Sequence, residues 1–75
     1  MKDKFKELMI DILEIKPDLF DIDADFRVKY SGWDSLKGFA TLVMLEESFG
    51  LKLNVNNFIK LKTLREIYNL ILKNE

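Results

Sequence analysis

The sequence predicts an all-α fold, a bundle of three main helices plus one short helix. Three observations predict it. Apolar residues recur at helical spacing in three separate stretches. A glycine and a Thr-x-x-Glu capping box punctuate those stretches where helices stop and start. The one apolar alternation, Leu51-Lys52-Leu53, is too short to make a strand. A chain of 75 residues has room for a single domain, residues 1–75, with a small core and modest stability.

Phe5, Leu8, Met9, Ile12 and Leu13 fall on one face of a first helix over about residues 2–15. Pro17 biases Lys16 away from helical geometry and closes that element. A long connection follows, residues 16–33, in which Asp18, Asp21, Asp23 and Asp25 alternate with Leu19, Phe20, Ile22 and Phe26. A loop of that length needs anchors, and Ile22 and Phe26 are the candidates; a turn of helix fits between Pro17 and Phe20. The aspartates lack the glycine and the distal glutamate of an EF-hand and read as solvated charges.

The second helix is expected over about 34–49, with Asp34 or Ser35 as its cap and Gly50 as a left-handed stop. Leu36, Phe39, Ala40, Val43 and Phe49 share one face, Leu42 and Leu45 widen it, and Met44 adds a third direction. Such a helix is either central to the bundle or keeps an exposed apolar strip for a partner. Asn54, Asn56 and Asn57 offer caps for a short helix near 56–61, with Phe58 and Ile59 facing inward. Thr63-Leu64-Arg65-Glu66 opens a last helix over about 63–73, whose inward face is Leu64, Ile67, Tyr68 and Ile71. Tyr30 and Tyr68 are expected to pack their rings and wet their hydroxyls.

Composition excludes whole classes of function. Twelve basic and thirteen acidic side chains give a net charge of −1, with no basic stripe to match a nucleic-acid backbone. Lysines near the N-terminus are interleaved with acids, and no apolar run is long enough to span a membrane, so a cytoplasmic protein is expected. There is no Cys and no His, which removes disulfides, thiolate catalysis, Cys/His zinc sites and the usual general base near neutral pH. No enzyme activity is expected. A hydrolase built on Ser35 would need Asp34, Lys37 or Tyr30 as its base, and no triad is evident.

Attention therefore settles on Gly32-Trp33-Asp34-Ser35-Leu36, followed at a fixed distance by Leu45-Glu46-Glu47-Ser48-Phe49-Gly50. A serine in the first turn of a helix is by default only a cap. The same position faces free backbone N–H groups and the positive end of the helix dipole, where a phosphate ester would be stabilised.

These segments resemble the acyl carrier proteins, small helical domains that carry acyl groups as thioesters on a 4′-phosphopantetheine arm. The resemblance runs over nearly the whole chain. Ala24-Asp25-Phe26 is similar to the loop before the attachment site, Asp34-Ser35-Leu36 to the attachment motif, Leu45-Glu46-Glu47-Ser48-Phe49 to the end of the second helix, and Thr63-Leu64 to the start of the last. It implies that a phosphopantetheinyl transferase modifies Ser35 from coenzyme A, with Asp34 assisting, and that the thiol this chain lacks belongs to the cofactor. It also implies a docking face for acyl-transferring or condensing enzymes made of Leu36, Val43, Met44, Glu46 and Glu47. Leu45 and Phe58 are candidates to line an acyl cavity, and Trp33 to seal the loop beside the serine. The implied role is a monomeric carrier for fatty-acid, polyketide or related specialised biosynthesis. An aminoacyl or peptidyl carrier, and a helical adaptor with Ser35 only a cap, stay open beside it.

Lys37 and Ala40 stand where acidic residues are common in the resembled family, and Asn54 to Lys62 carries Lys60 and Lys62 with no acid. Charge patterns of this kind set partner choice more than raw affinity, so a specialised set of partners is expected.

Overall fold

The computed structural model describes residues 2–74. The chain order is α1 (Lys2–Leu13), a 3₁₀ turn (Pro17–Leu19), α2 (Phe26–Lys29), α3 (Ser35–Phe49), α4 (Val55–Phe58) and α5 (Leu64–Lys73). Three long helices make an all-α bundle, as the apolar periodicity predicts. Among the described residues the only β-type pairing is an isolated antiparallel bridge between Asp25 and Thr63. No helix there is long and apolar enough to cross a membrane.

Each long helix contributes one stripe to the core. Phe5, Met9 and Leu13 come from α1, Met44 and Leu45 from α3, and Leu64, Ile67 and Ile71 from α5. Phe26, Tyr30, Leu51 and Phe58 fill in from the connections. At one end the Phe5 ring meets Phe49 edge-on at 6.3 Å and Tyr68 at 5.6 Å.

The first helix ends two residues before its expected stop. Glu14 adopts left-handed geometry (φ 57°), and the Ile15 N–H donates back to the Ile10 carbonyl at 3.3 Å. This closure satisfies an otherwise unpaired carbonyl before Pro17 is reached. At the other end of the bundle, α3 stops on Gly50 (φ 66°), whose N–H donates to the Glu46 carbonyl at 3.0 Å. Glycine takes that conformation without the steric cost a Cβ brings.

The long connection is stitched down by hydrogen bonds, while Asp18, Asp21 and Asp23 stay exposed to solvent as expected. The Tyr30 hydroxyl donates to the Leu19 carbonyl (3.1 Å) and accepts from the Asp21 N–H (2.8 Å), so it pins the loop instead of reaching water. Asp21 accepts from the Asp23 N–H, and Asp25 caps α2 by accepting from the Arg27 N–H. The Ile22 carbonyl accepts from the Arg65 N–H at 2.8 Å, and the Asp23 carboxylate pairs with the Arg65 side chain. The Phe26 N–H donates to the Lys62 carbonyl. Three of the four aspartates thus have structural partners. Among the described residues no cluster of three or more potential ligands is arranged to hold a metal ion.

The short helix α2 has no counterpart in the sequence expectation, because four residues are too few to show a period. The short helix α4 starts on Asn54, whose side chain accepts from the Asn57 N–H at 2.8 Å, and it is shorter than the expected 56–61. Phe58 is buried as expected, but Ile59 follows the last turn of α4 and is 61% exposed.

Candidate phosphate-ester site

Asp34, and not Ser35, caps α3. Its backbone is extended (φ −151°, ψ −177°), and Oδ1 accepts from the Lys37 N–H at 2.9 Å, while its carbonyl takes the first intrahelical bond, from the Gly38 N–H. Ser35 is therefore the first helical residue, exposed, with its hydroxyl not needed for the cap. This corrects the reading of Ser35 as only a helix cap. The cap takes up the N–H of Lys37. The N–H groups of Ser35 and Leu36 remain at the open end of a 15-residue helix, where they and the dipole favour a bound anion.

A groove of about 330 Å³ opens beside Ser35, between the first half of α3 and α4. Trp33, Gly38 and Phe58 form its floor, Phe39 and Leu42 its α3 side, and Val55 and Ile59 its opposite rim. The floor belongs to a ring cluster in which Phe26 meets Trp33 edge-on at 4.7 Å and Phe58 at 6.1 Å. Trp33 therefore does two jobs: it seals the loop against Phe26 and it faces the groove. Of the two candidates for a cavity lining, Leu45 lies in the core away from the groove and only fills it, whereas Phe58 does both.

Arg27 closes one side of this groove and was not legible as a site residue. Its guanidinium lies 4.6 Å from the Phe26 ring centroid and 5.2 Å from that of Phe58. It donates to the carbonyls of Leu61 and Phe58, the latter at 3.0 Å. One side chain thus ties α2 to the end of α4 and fixes the distance between two walls. No sequence pattern encodes that reach. Gly38 did carry a signal, since an isolated glycine inside a helical pattern asks for a reason.

The groups that a catalytic serine would need are engaged elsewhere. The Lys37 ammonium pairs with Glu14 at 2.9 Å, and the Glu14 carboxylate pushes the lysine above its ordinary value. The Tyr30 hydroxyl is held by the loop, and the Asp34 carboxylate by the cap.

Among the residues expected to form a docking face, Leu36 is 77% exposed and Val43 37%, and Phe39 between them is 67% exposed. Glu46 and Glu47 follow on the surface. The structure corrects one member. Met44 is 8% exposed and packs in the core, because α3 turns Gly38, Thr41, Met44 and Leu45 toward the bundle. The strip that faces outward is Leu36, Phe39, Ala40 and Val43.

The family model described as a phosphopantetheine attachment site matches residues 3–71. No curated protein and no solved structure matches the chain.

Proposed function

Because the chain belongs to the phosphopantetheine attachment-site family, its cofactor is a covalently held 4′-phosphopantetheine, and we propose that Ser35 bears it. One observation carries this assignment. Ser35 is an exposed primary hydroxyl at the open end of a long helix, relieved of the cap by Asp34 and set beside an apolar groove. The residues fit the group: N–H donors for a phosphodiester and an apolar lining for an arm.

The Ser35 oxygen bonds to the β-phosphorus of coenzyme A as the diphosphate bond breaks. Adenosine bisphosphate leaves, and the hydroxyl proton passes to the transferase. Asp34 orients the helix end for that enzyme. The arm supplies a terminal thiol that holds cargo as a thioester, and this chain contributes the mount and the surfaces. The engagement of Asp34, Lys37 and Tyr30 elsewhere supports a carrier without catalysis of its own.

Leu36, Phe39 and Val43 form the apolar centre of the docking face, with Glu46 and Glu47 as its charged edge. Its partners are acyl-transferring or condensing enzymes of fatty-acid, polyketide or related specialised biosynthesis. Acyl cargo is favoured over aminoacyl cargo by the lining of the groove, where carbon side chains outnumber the two charged residues, Arg27 and Asp34.

The test is loading with coenzyme A and a promiscuous phosphopantetheinyl transferase, read by intact mass. The parent gains one phosphopantetheinyl group and Ser35→Ala gains none. A gain that survives in Ser35→Ala, or a parent that never loads, overturns the assignment.

A further inference from the structure

Gly38 is one turn after Ser35 on the same face of α3, since positions i and i+3 lie one above the other. It is buried, in the interior of a 15-residue helix, where glycine is among the least favourable residues. The backbone there does not require it. The only left-handed glycine among the described residues is Gly50. Packing does not require it either. A Cβ at position 38 would lie 3.5 Å from the Trp33 ring and 3.7 Å from the Phe58 ring, ordinary van der Waals contact. An alanine would fit, gain contacts and favour the helix. What it would remove is space, and that space is the groove floor between Ser35 and the two rings.

We propose that Gly38 is a specificity-determining residue: its missing side chain keeps the groove floor open so that short acyl cargo lies against Trp33 and Phe58. This rests on the assignment of Ser35 as the tether. The cargo is an apolar unit of a few carbons lying in a surface groove, because the bundle centre behind it is filled by Phe26, Leu45 and Leu64. A side chain at position 38 would leave the tether and the transferase surface intact and displace the cargo.

Trp33 is the only tryptophan in the chain and faces the groove, so its fluorescence reports occupancy without any enzymatic readout. The experiment compares the parent with Gly38→Ala, each apo and loaded from butyryl-coenzyme A by the promiscuous transferase. Loading is confirmed by intact mass. Asn69→Ala, an exposed substitution in α5, serves as a control for helix stabilisation away from the groove. In the parent, loading shifts the Trp33 emission. Gly38→Ala loads equally and melts about 3–6 °C higher. Its ratio of docked to undocked cargo, read from the emission shift, falls about fivefold or more. Asn69→Ala keeps the parental shift.

A parental protein that fails to load sinks the Ser35 assignment. A parent that loads without an emission change overturns the role of Gly38 and leaves Ser35 standing. So does Gly38→Ala with an undiminished shift, a lowered melting temperature or failed loading. A lowered melting temperature would mean that packing alone selects the glycine.

Discussion

At the scale of the residue, the division of labour between Asp34 and Ser35 decides what the helix end can do. Both residue types cap helices well, and the sequence leaves the choice open. The carboxylate reaches the Lys37 N–H, so the serine becomes the first helical residue and its hydroxyl is available. Two substitutions at position 34 separate the cap from the charge. Asp34→Ala is expected to lower stability by about 1 kcal/mol. Asp34→Ser, which keeps a capping oxygen, is expected to stay within a few tenths of a kcal/mol of the parent. Urea denaturation measures both. If Asp34 also orients the helix end for the transferase through its charge, Asp34→Ser loads more slowly despite its retained stability. Equal loading by parent and Asp34→Ser would confine Asp34 to the cap.

At the scale of the element, what was legible followed from how many residues reported each feature. The last helix repeats its apolar face over ten residues and opens on a capping box, and both appear as read: the Thr63 hydroxyl accepts from the Glu66 N–H, and Glu66 accepts from the Thr63 N–H. The helix α2 has four residues and no period to read, but its Phe26 is fully buried, as expected of a loop anchor. The face of α3 was read from its large apolar residues, yet a glycine and a polar residue, Gly38 and Thr41, turn inward. Thr41 can be buried because its hydroxyl donates to the Lys37 carbonyl at 2.8 Å, a bond no hydropathy pattern reveals. The capping box also carries a pH signature. The N–H groups of Lys62 (2.8 Å) and Thr63 (2.9 Å) hold the Glu66 carboxyl below its ordinary 4.5. As pH falls, the unfolded chain takes up this proton first. The contribution of Glu66 is therefore full above about pH 4.5 and is lost as pH drops through the lower, folded value. Asp23, held down by its hydrogen bond to Arg65, acts in the same direction. Glu66→Gln keeps an acceptor at that position but not the charge, so it should melt slightly below the parent near neutrality and converge with it between about pH 5 and 3, with the shallower acid limb. An acid limb unchanged by Glu66→Gln would show that the box does not set it.

At the scale of the whole molecule, α3 serves two faces, and the bundle works only if they are independent. Its inner side presses Leu45 into the core with no exposed area, while its outer side leaves Leu36 and Val43 toward solvent. The apolar periodicity could not tell these faces apart, because α3 is apolar on more than one stripe and only packing against α1 and the rest of the core decides which residues are covered. The two faces have different energetic scales. Truncating Leu45 opens a cavity among residues that cannot fully collapse, at a cost of about 2–5 kcal/mol. For a domain of this size that is a large share of total stability, so Leu45→Ala should be largely unfolded at physiological temperature by circular dichroism. Val43 is 37% exposed, so Val43→Ser removes apolar area that is already partly in water, and its cost should be about 1–2 kcal/mol, below that of Leu45→Ala. The outer change is felt elsewhere. If Leu36 and Val43 form the centre of the docking face, Val43→Ser folds and loads like the parent but passes cargo to a condensing enzyme with a higher KM. Adding Leu36→Ser should raise it further, by up to about tenfold for each anchor lost. A double variant with parental KM would move the docking face off this strip, and the exposed carbon on α3 would then have to be explained without a partner.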